Sequence, residues 1–162
     1  KEEFYLDDSK DIGDVYNWME EVIPALFQKT ISKINEGEKP KKQSSEKALR
    51  TFPRKPEDSR IDWSKGVESI LKIIRASSRP FSGAYCFLNN NESEKVTIYS
   101  AKRIELKYDF NAIDGQILEY GNNFFCVSSK DRAIKVTDFS LNGLSQKESL
   151  KEIIKSMRNR LT

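Results

Sequence analysis

Residues 53–63 read Pro53-Arg54-Lys55-Pro56-Glu57-Asp58-Ser59-Arg60-Ile61-Asp62-Trp63, eleven positions that hold two prolines, three cations, three acids and a tryptophan. Pro53 and Pro56 push Phe52 and Lys55 towards extended backbone and stiffen the crossing. Arg54 and Arg60 offer planar forks that suit phosphate or carboxylate, and Glu57 and Asp58 can clamp them internally. The stretch is a stiff charged arm that ends in a large apolar ring, with Trp63 as its expected core anchor.

Downstream of the arm the spacing predicts a helix over 64–77, with Val67, Ile70, Leu71 and Ile74 as its buried stripe and Asp62 or Ser64 as N-cap. Pro80 ends it. From Gly83 to Phe139 the pattern changes to short runs rich in aromatic and β-branched residues: 84–88, 96–106, 116–120, 124–128 and 133–139. Turn signals separate them at Asn89-Asn90-Asn91, Asp114-Gly115, Gly121-Asn122-Asn123 and Ser129-Lys130-Asp131. Such short strands predict a small antiparallel barrel. A last helix is expected from the capping box of Ser145 and Glu148, with a stripe of Leu150, Ile153, Ile154, Met157 and Leu161.

Upstream, Ile12, Val15, Met19, Val22, Ile23, Leu26, Thr30 and Ile34 share one face of a helix expected over 11–36 and stopped by Gly37. Pro24 predicts a kink or a restart inside it. A weak strand pattern lies at Phe4 to Leu6. Residues 38–50 have almost nothing to bury and read as an exposed linker. The fold class is therefore α+β: helix and linker, then a helix and a small antiparallel OB-like β-barrel, then a C-terminal helix. The segments expected are 1–37, 38–60, 61–143 and 144–162.

The 162 residues are 37% hydrophobic and 33% charged, with a net charge of +3, which describes a globular chain that tolerates a polyanion without demanding one. Cys86 and Cys126 sit inside apolar strand patterns and read as reduced core thiols of a cytoplasmic protein, a disulfide between neighbouring strands being the other reading. No apolar run approaches a membrane span. Histidine is absent, which removes Ser-His and Cys-His nucleophiles and the commonest zinc ligand. The first residue is Lys1, as expected of a processed or truncated segment.

The arm, followed by Ile74-Arg75-Ala76 and Pro80-Phe81-Ser82-Gly83-Ala84, resembles the C-terminal part of the folate-dependent formyltransferases, a family that includes methionyl-tRNA and amino-sugar enzymes. Residues 11–37 and then Gln43 are similar to the last helix of that family's catalytic domain and the start of its linker. The resemblance implies 10-formyltetrahydrofolate as cofactor of the longer protein. It also implies an Asn-x-His pair and an Asp that would precede this chain. None of them is here, so the chain alone is expected to be inactive, with no catalytic, cofactor or metal residue of its own.

What the resemblance leaves to this chain is contact with the acceptor. Arg54, Asp58, Arg60 and Arg75 are the candidate substrate-binding residues, Arg54 and Asp58 lining the acceptor side; for the arm, docking through local ion pairs is the competing role. Arg75 can instead satisfy the last carbonyls of its helix. Phe81, Tyr85, Phe87, Tyr99, Phe124 and Phe125 are either stacking surfaces for bases or cross-strand packing.

The partners expected are the missing N-terminal catalytic domain and a nucleotide-linked amino sugar. tRNA, or a non-catalytic role in binding or homodimerisation, is the alternative. Residues 84–143 carry seven cations against eight acids, a net charge of −1 that disfavours a large phosphate footprint.

Overall fold

The computed structural model describes every residue except Gln43, Lys47, Asp131 and Met157. The chain divides into two compact units, Lys1–Lys55 and Pro56–Thr162.

In the first unit, helix α1 spans Ile12–Asn35. Asp11 caps it: its carboxylate accepts from Gly13 N at 2.8 Å and Asp14 N at 3.2 Å, while Asp14 accepts from the Asp11 N–H. This capping box satisfies the first orphan donors, which is why the helix begins there. Pro24 lies inside a single unbroken assignment, so the helix does not restart at that point. No α1 residue is fully buried: Met19, Ile23, Phe27, Ile31 and Ile34 are exposed, Phe27 by 64% and Ile34 by 57%. The weak strand pattern at Phe4 to Leu6 forms no strand; Phe4 packs instead against Trp18, ring centroids 5.3 Å apart. Gln43, the similarity at the start of the linker, lies outside the described residues.

The second unit opens with a 3₁₀ turn at Pro56–Ser59 and continues into helix α2, Val67–Ser77. Val67, Ile70, Leu71 and Ile74 are buried, as their spacing predicts. The N-cap is Gly66, with no side-chain cap. Asp62 and Ser64 are drawn off into a turn of their own, where the Asp62 carboxylate accepts from Ser64 N at 3.0 Å and Ser64 Oγ at 2.6 Å.

Five strands follow: β1 Ala84–Leu88, β2 Asn91–Ile104, β3 Ile117–Tyr120, β4 Phe125–Ser129 and β5 Arg132–Leu141. They pair antiparallel in the order β1-β2-β5-β4-β3. Gly83 leads into β1 with φ +85, and a Cβ there would lie 2.5 Å from Thr97 Cγ2. Only glycine fits both the left-handed backbone and that close approach. The core between sheet and helices joins Trp63, Ile70, Ile74, Val96, Ile98, Phe125, Ile134, Val136, Phe139 and Ile153.

Two expectations are corrected here. The sheet is open, with β1 and β3 as its edges, so strand pairing does not produce a closed OB-like barrel. The last helix is also shorter than expected. Helix α3 spans Gln146–Ile153, with the predicted Ser145–Glu148 capping box in place. It stops because Asn159 Nδ2 donates to the carbonyls of Glu152 and Ile153 at 3.2 and 2.9 Å, satisfying groups that a further turn would have used. Met157 of the predicted stripe lies outside the described residues, and Leu161, past the end of the helix, is buried in the same core as Leu150 and Ile153.

Leu161 belongs to a short extended segment, residues 160–162, that lies between the two sheet edges. Phe87 N donates to Thr162 O and Thr162 N to Phe87 O, both at 2.8 Å, and Asn89 N donates to Arg160 O at 2.7 Å. On its other side Leu161 N donates to Gly115 O at 2.8 Å, beside the start of β3. The tail thus forms a seam where no strand is available.

Candidate functional site

A cleft in the second unit lies along this seam. Its volume is about 470 Å³, and three separate segments line it: Arg60 to Ser64 of the arm, Asp114, and Arg160 to Thr162 of the tail. Each segment is fixed by its backbone. Arg60 N donates to Glu57 O at 3.0 Å, and Ile61 N donates to Tyr85 O at 2.7 Å, which lays the arm along the free edge of β1. Arg160 N donates to Asn89 Oδ1 at 3.0 Å. Gly115, with φ +79, lets the tail pass so closely that a Cβ would meet Leu161 O.

The charged groups of the cleft differ in how far they are committed. Asp62 is held by Ser64 and by Lys65 Nζ at 3.8 Å. The Ser64 hydroxyl and then the Ser64 N–H hold its carboxyl below the usual carboxylate range. Asp114 accepts from Lys130 N at 2.7 Å. Arg60 stacks its guanidinium over the Phe87 ring at 5.2 Å. Neither Arg60 nor Arg160 has a carboxylate ion pair among the described residues. The cleft can therefore offer two guanidinium forks and two anchored carboxylates to a small ligand.

Of the residues singled out in the sequence, Arg60 lines this cleft and Trp63 forms part of its wall, 4% exposed and buried in the core. Asp58 sits on the exposed 3₁₀ turn and Arg75 in the last turn of α2, both outside the lining. Arg54 belongs to the first unit, in an exposed stretch without regular secondary structure. Asp114 and Arg160 were not singled out. The Asp114-Gly115 dipeptide marked only a turn, and Arg160 fell inside the overextended helix.

The aromatic residues divide into core and surface. Phe125 packs edge-on against Phe139 inside the core, ring centroids 4.7 Å apart. Tyr85, Phe87, Tyr99 and Phe124 each lie under a cation of this chain: Lys95 at 4.5 Å, Arg60 at 5.2 Å, Arg79 at 3.9 Å and Lys135 at 3.5 Å. One face of each ring is thereby occupied. Arg79 also pairs with Asp138.

Neither cysteine is among the residues that line the cleft. Both cysteines are free and buried, and burial pushes the Cys86 and Cys126 thiols up to about 12. Among the described residues, no three metal-ligating side chains come together, and no helix is long and apolar enough to cross a membrane.

Residues 54–158 match the family model described as formyl transferase, C-terminal domain. The chain is 30% identical over 143 residues to a methionyl-tRNA formyltransferase of Fusobacterium nucleatum subsp. nucleatum, a match that covers 87% of this chain and 42% of that protein. Its fold is similar to HypX from Aquifex aeolicus in complex with tetrahydrofolic acid: TM-score 0.68, 18% identity, 94% of this chain and 27% of that one. A variant of HypX gives a TM-score of 0.61 at 19% identity, over 84% of this chain and 24% of that one.

Proposed function

Because the chain belongs to the formyl transferase C-terminal domain family, we propose that it serves a formyltransferase that moves a formyl group from 10-formyltetrahydrofolate to the amine of a nucleotide-linked amino sugar. The match over residues 54–158 carries the reaction class. The seam cleft carries the choice of acceptor: 470 Å³ with two arginines suits one small phosphorylated molecule better than a long run of phosphates. The net charge of −1 over residues 84–143 and the cation-covered rings support the same choice.

Two clefts of the second unit have charged linings. The larger is rimmed by Arg60, Asp62, Asp114 and Arg160, and the smaller, about 250 Å³, is lined partly by Glu105, Asp109 and Arg132. On this reading the folate is held by a preceding catalytic domain, on which the exposed apolar face of α1 would pack. Formyl transfer also needs a base for the amine proton and donors for the oxyanion, and this chain's role is confined to holding the acceptor.

Methionyl-tRNA is the second reading, favoured by the similarity to a methionyl-tRNA formyltransferase. The deciding experiment incubates the full-length protein with 10-formyltetrahydrofolate and either a dTDP- or UDP-amino sugar or methionyl-tRNA. Formylation of the sugar nucleotide is expected. Faster formylation of methionyl-tRNA, with binding that falls steeply as salt rises, would replace it with the second reading.

A further inference from the structure

The seam cleft has features that formyl transfer does not by itself require. We propose that it is a binding site for a sugar phosphate, with the phosphate held between Arg60 and Arg160 and the sugar hydroxyls donating to Asp62 and Asp114. Both arginines extend from pinned backbone, through Ile61 N to Tyr85 O at 2.7 Å and Arg160 N to Asn89 Oδ1 at 3.0 Å. Phe87 supports the Arg60 guanidinium from one side, so less rotamer freedom is lost when it meets an anion. Among the described residues, neither guanidinium has a carboxylate to leave first.

The two acids decide the ligand class. Two carboxylates beside two guanidiniums leave the lining electrically balanced, so a bare anion gains little long-range attraction. A ligand that joins a phosphate to hydroxyls uses all four groups. Asp62 Oδ1 and Asp114 Oδ1 are each taken by donors of the protein, Ser64 and Lys130 N, which orients the carboxylates; Asp114 Oδ2 is left as an acceptor, and Asp62 Oδ2 is shared with Lys65 Nζ at 3.8 Å. The volume of about 470 Å³ lies within the range of roughly 300–1,000 Å³ usual for small-molecule sites.

The ligand's role as acceptor rests on the reading above, but binding does not. Measured on this chain without any transfer, it succeeds or fails apart from the enzymatic assignment. Glucose 1-phosphate, glucose and inorganic phosphate are titrated separately while the amide resonances of Ser64, Asp114 and Thr162 are followed. Saturable shifts with glucose 1-phosphate are expected, and Arg60→Gln or Arg160→Gln should each weaken them about tenfold, the loss of one charge-assisted contact.

Asp114→Asn should weaken glucose 1-phosphate and leave phosphate unchanged, and its dispersed spectrum would show that the fold survives. Absence of saturable shifts, or binding that persists in the double arginine variant, would overturn the site. Phosphate binding as tightly as glucose 1-phosphate would overturn the sugar assignment and mark a simple anion contact.

Discussion

Replacing Gly115 by alanine tests whether the tail closes the sheet. Gly115 and Gly143 have nearly the same backbone, φ +79 and +78, but different surroundings. A Cβ at 143 meets nothing within 4 Å, whereas at 115 it would sit 1.9 Å from Leu161 O, a backbone atom that cannot swing aside. Gly143→Ala should therefore cost only the left-handed backbone term, about 1–2 kcal/mol. Gly115→Ala incurs that term and must also displace residues 160–162. Leu161 is 1% exposed, so undocking forfeits roughly 2 kcal/mol of burial together with several hydrogen bonds of about 1 kcal/mol each.

The expected difference between the two variants, for a fully undocked tail, is about 4–7 kcal/mol by urea denaturation. The amides of Phe87 and Thr162 should lose exchange protection in the first variant alone. Equal destabilisation by the two substitutions, with Thr162 still protected, would refute the tail as a structural closure.

Other consequences can be checked directly. Cys86 has a folded pKa raised to about 12 by burial, so the folded state holds its proton more tightly than the unfolded state. Its contribution is complete below the unfolded pKa near ~8.5 and declines as pH rises towards 12. Denaturation midpoints should therefore fall above about pH 9, less steeply in Cys86→Ala, and neither thiol should react with a disulfide reagent before unfolding. Trp63 is buried, and its Nε1 has no partner beyond a weak contact with the Cys86 thiol. Trp63→Ala should cost about 3–5 kcal/mol and Trp63→Phe much less, because only a weak N–H···S contact is lost; equal losses in chemical denaturation would contradict this. If α1 packs on a preceding domain, its amides should exchange rapidly in this chain and slowly in the full-length protein. Slow exchange in a dilute monomer of this chain would count against that packing.

The sequence was most readable where one element supplies its own pattern. Val67, Ile70, Leu71 and Ile74 repeat at helical spacing and are buried, and the run from Ala84 to Leu88 forms β1 over the same five residues. It misled where two structures share one pattern. Leu150, Ile154, Met157 and Leu161 keep helical spacing beyond the end of α3, and nothing in that spacing reveals that Asn159 closes the helix. Asp62 and Ser64 are both strong cap residues, yet their mutual hydrogen bonds make a separate turn before Gly66. The cleft was the least accessible feature, because Arg60, Asp114 and Arg160 line one space only where the arm, the turn before β3 and the tail converge. The family resemblance drew attention to the arm, but it gave no indication of the tail opposite.

The seam also has a consequence for how the protein is made. Residues 160–162 follow every strand, so on a ribosome the part of the β1 edge that they cover stays bare until all five strands have emerged. During that interval Phe87 and Asn89 present unpaired backbone groups, the kind of edge on which nascent chains stick to one another. Sites of premature translation arrest just before Arg160 should therefore yield a chain with every strand and helix present that is nevertheless prone to aggregate.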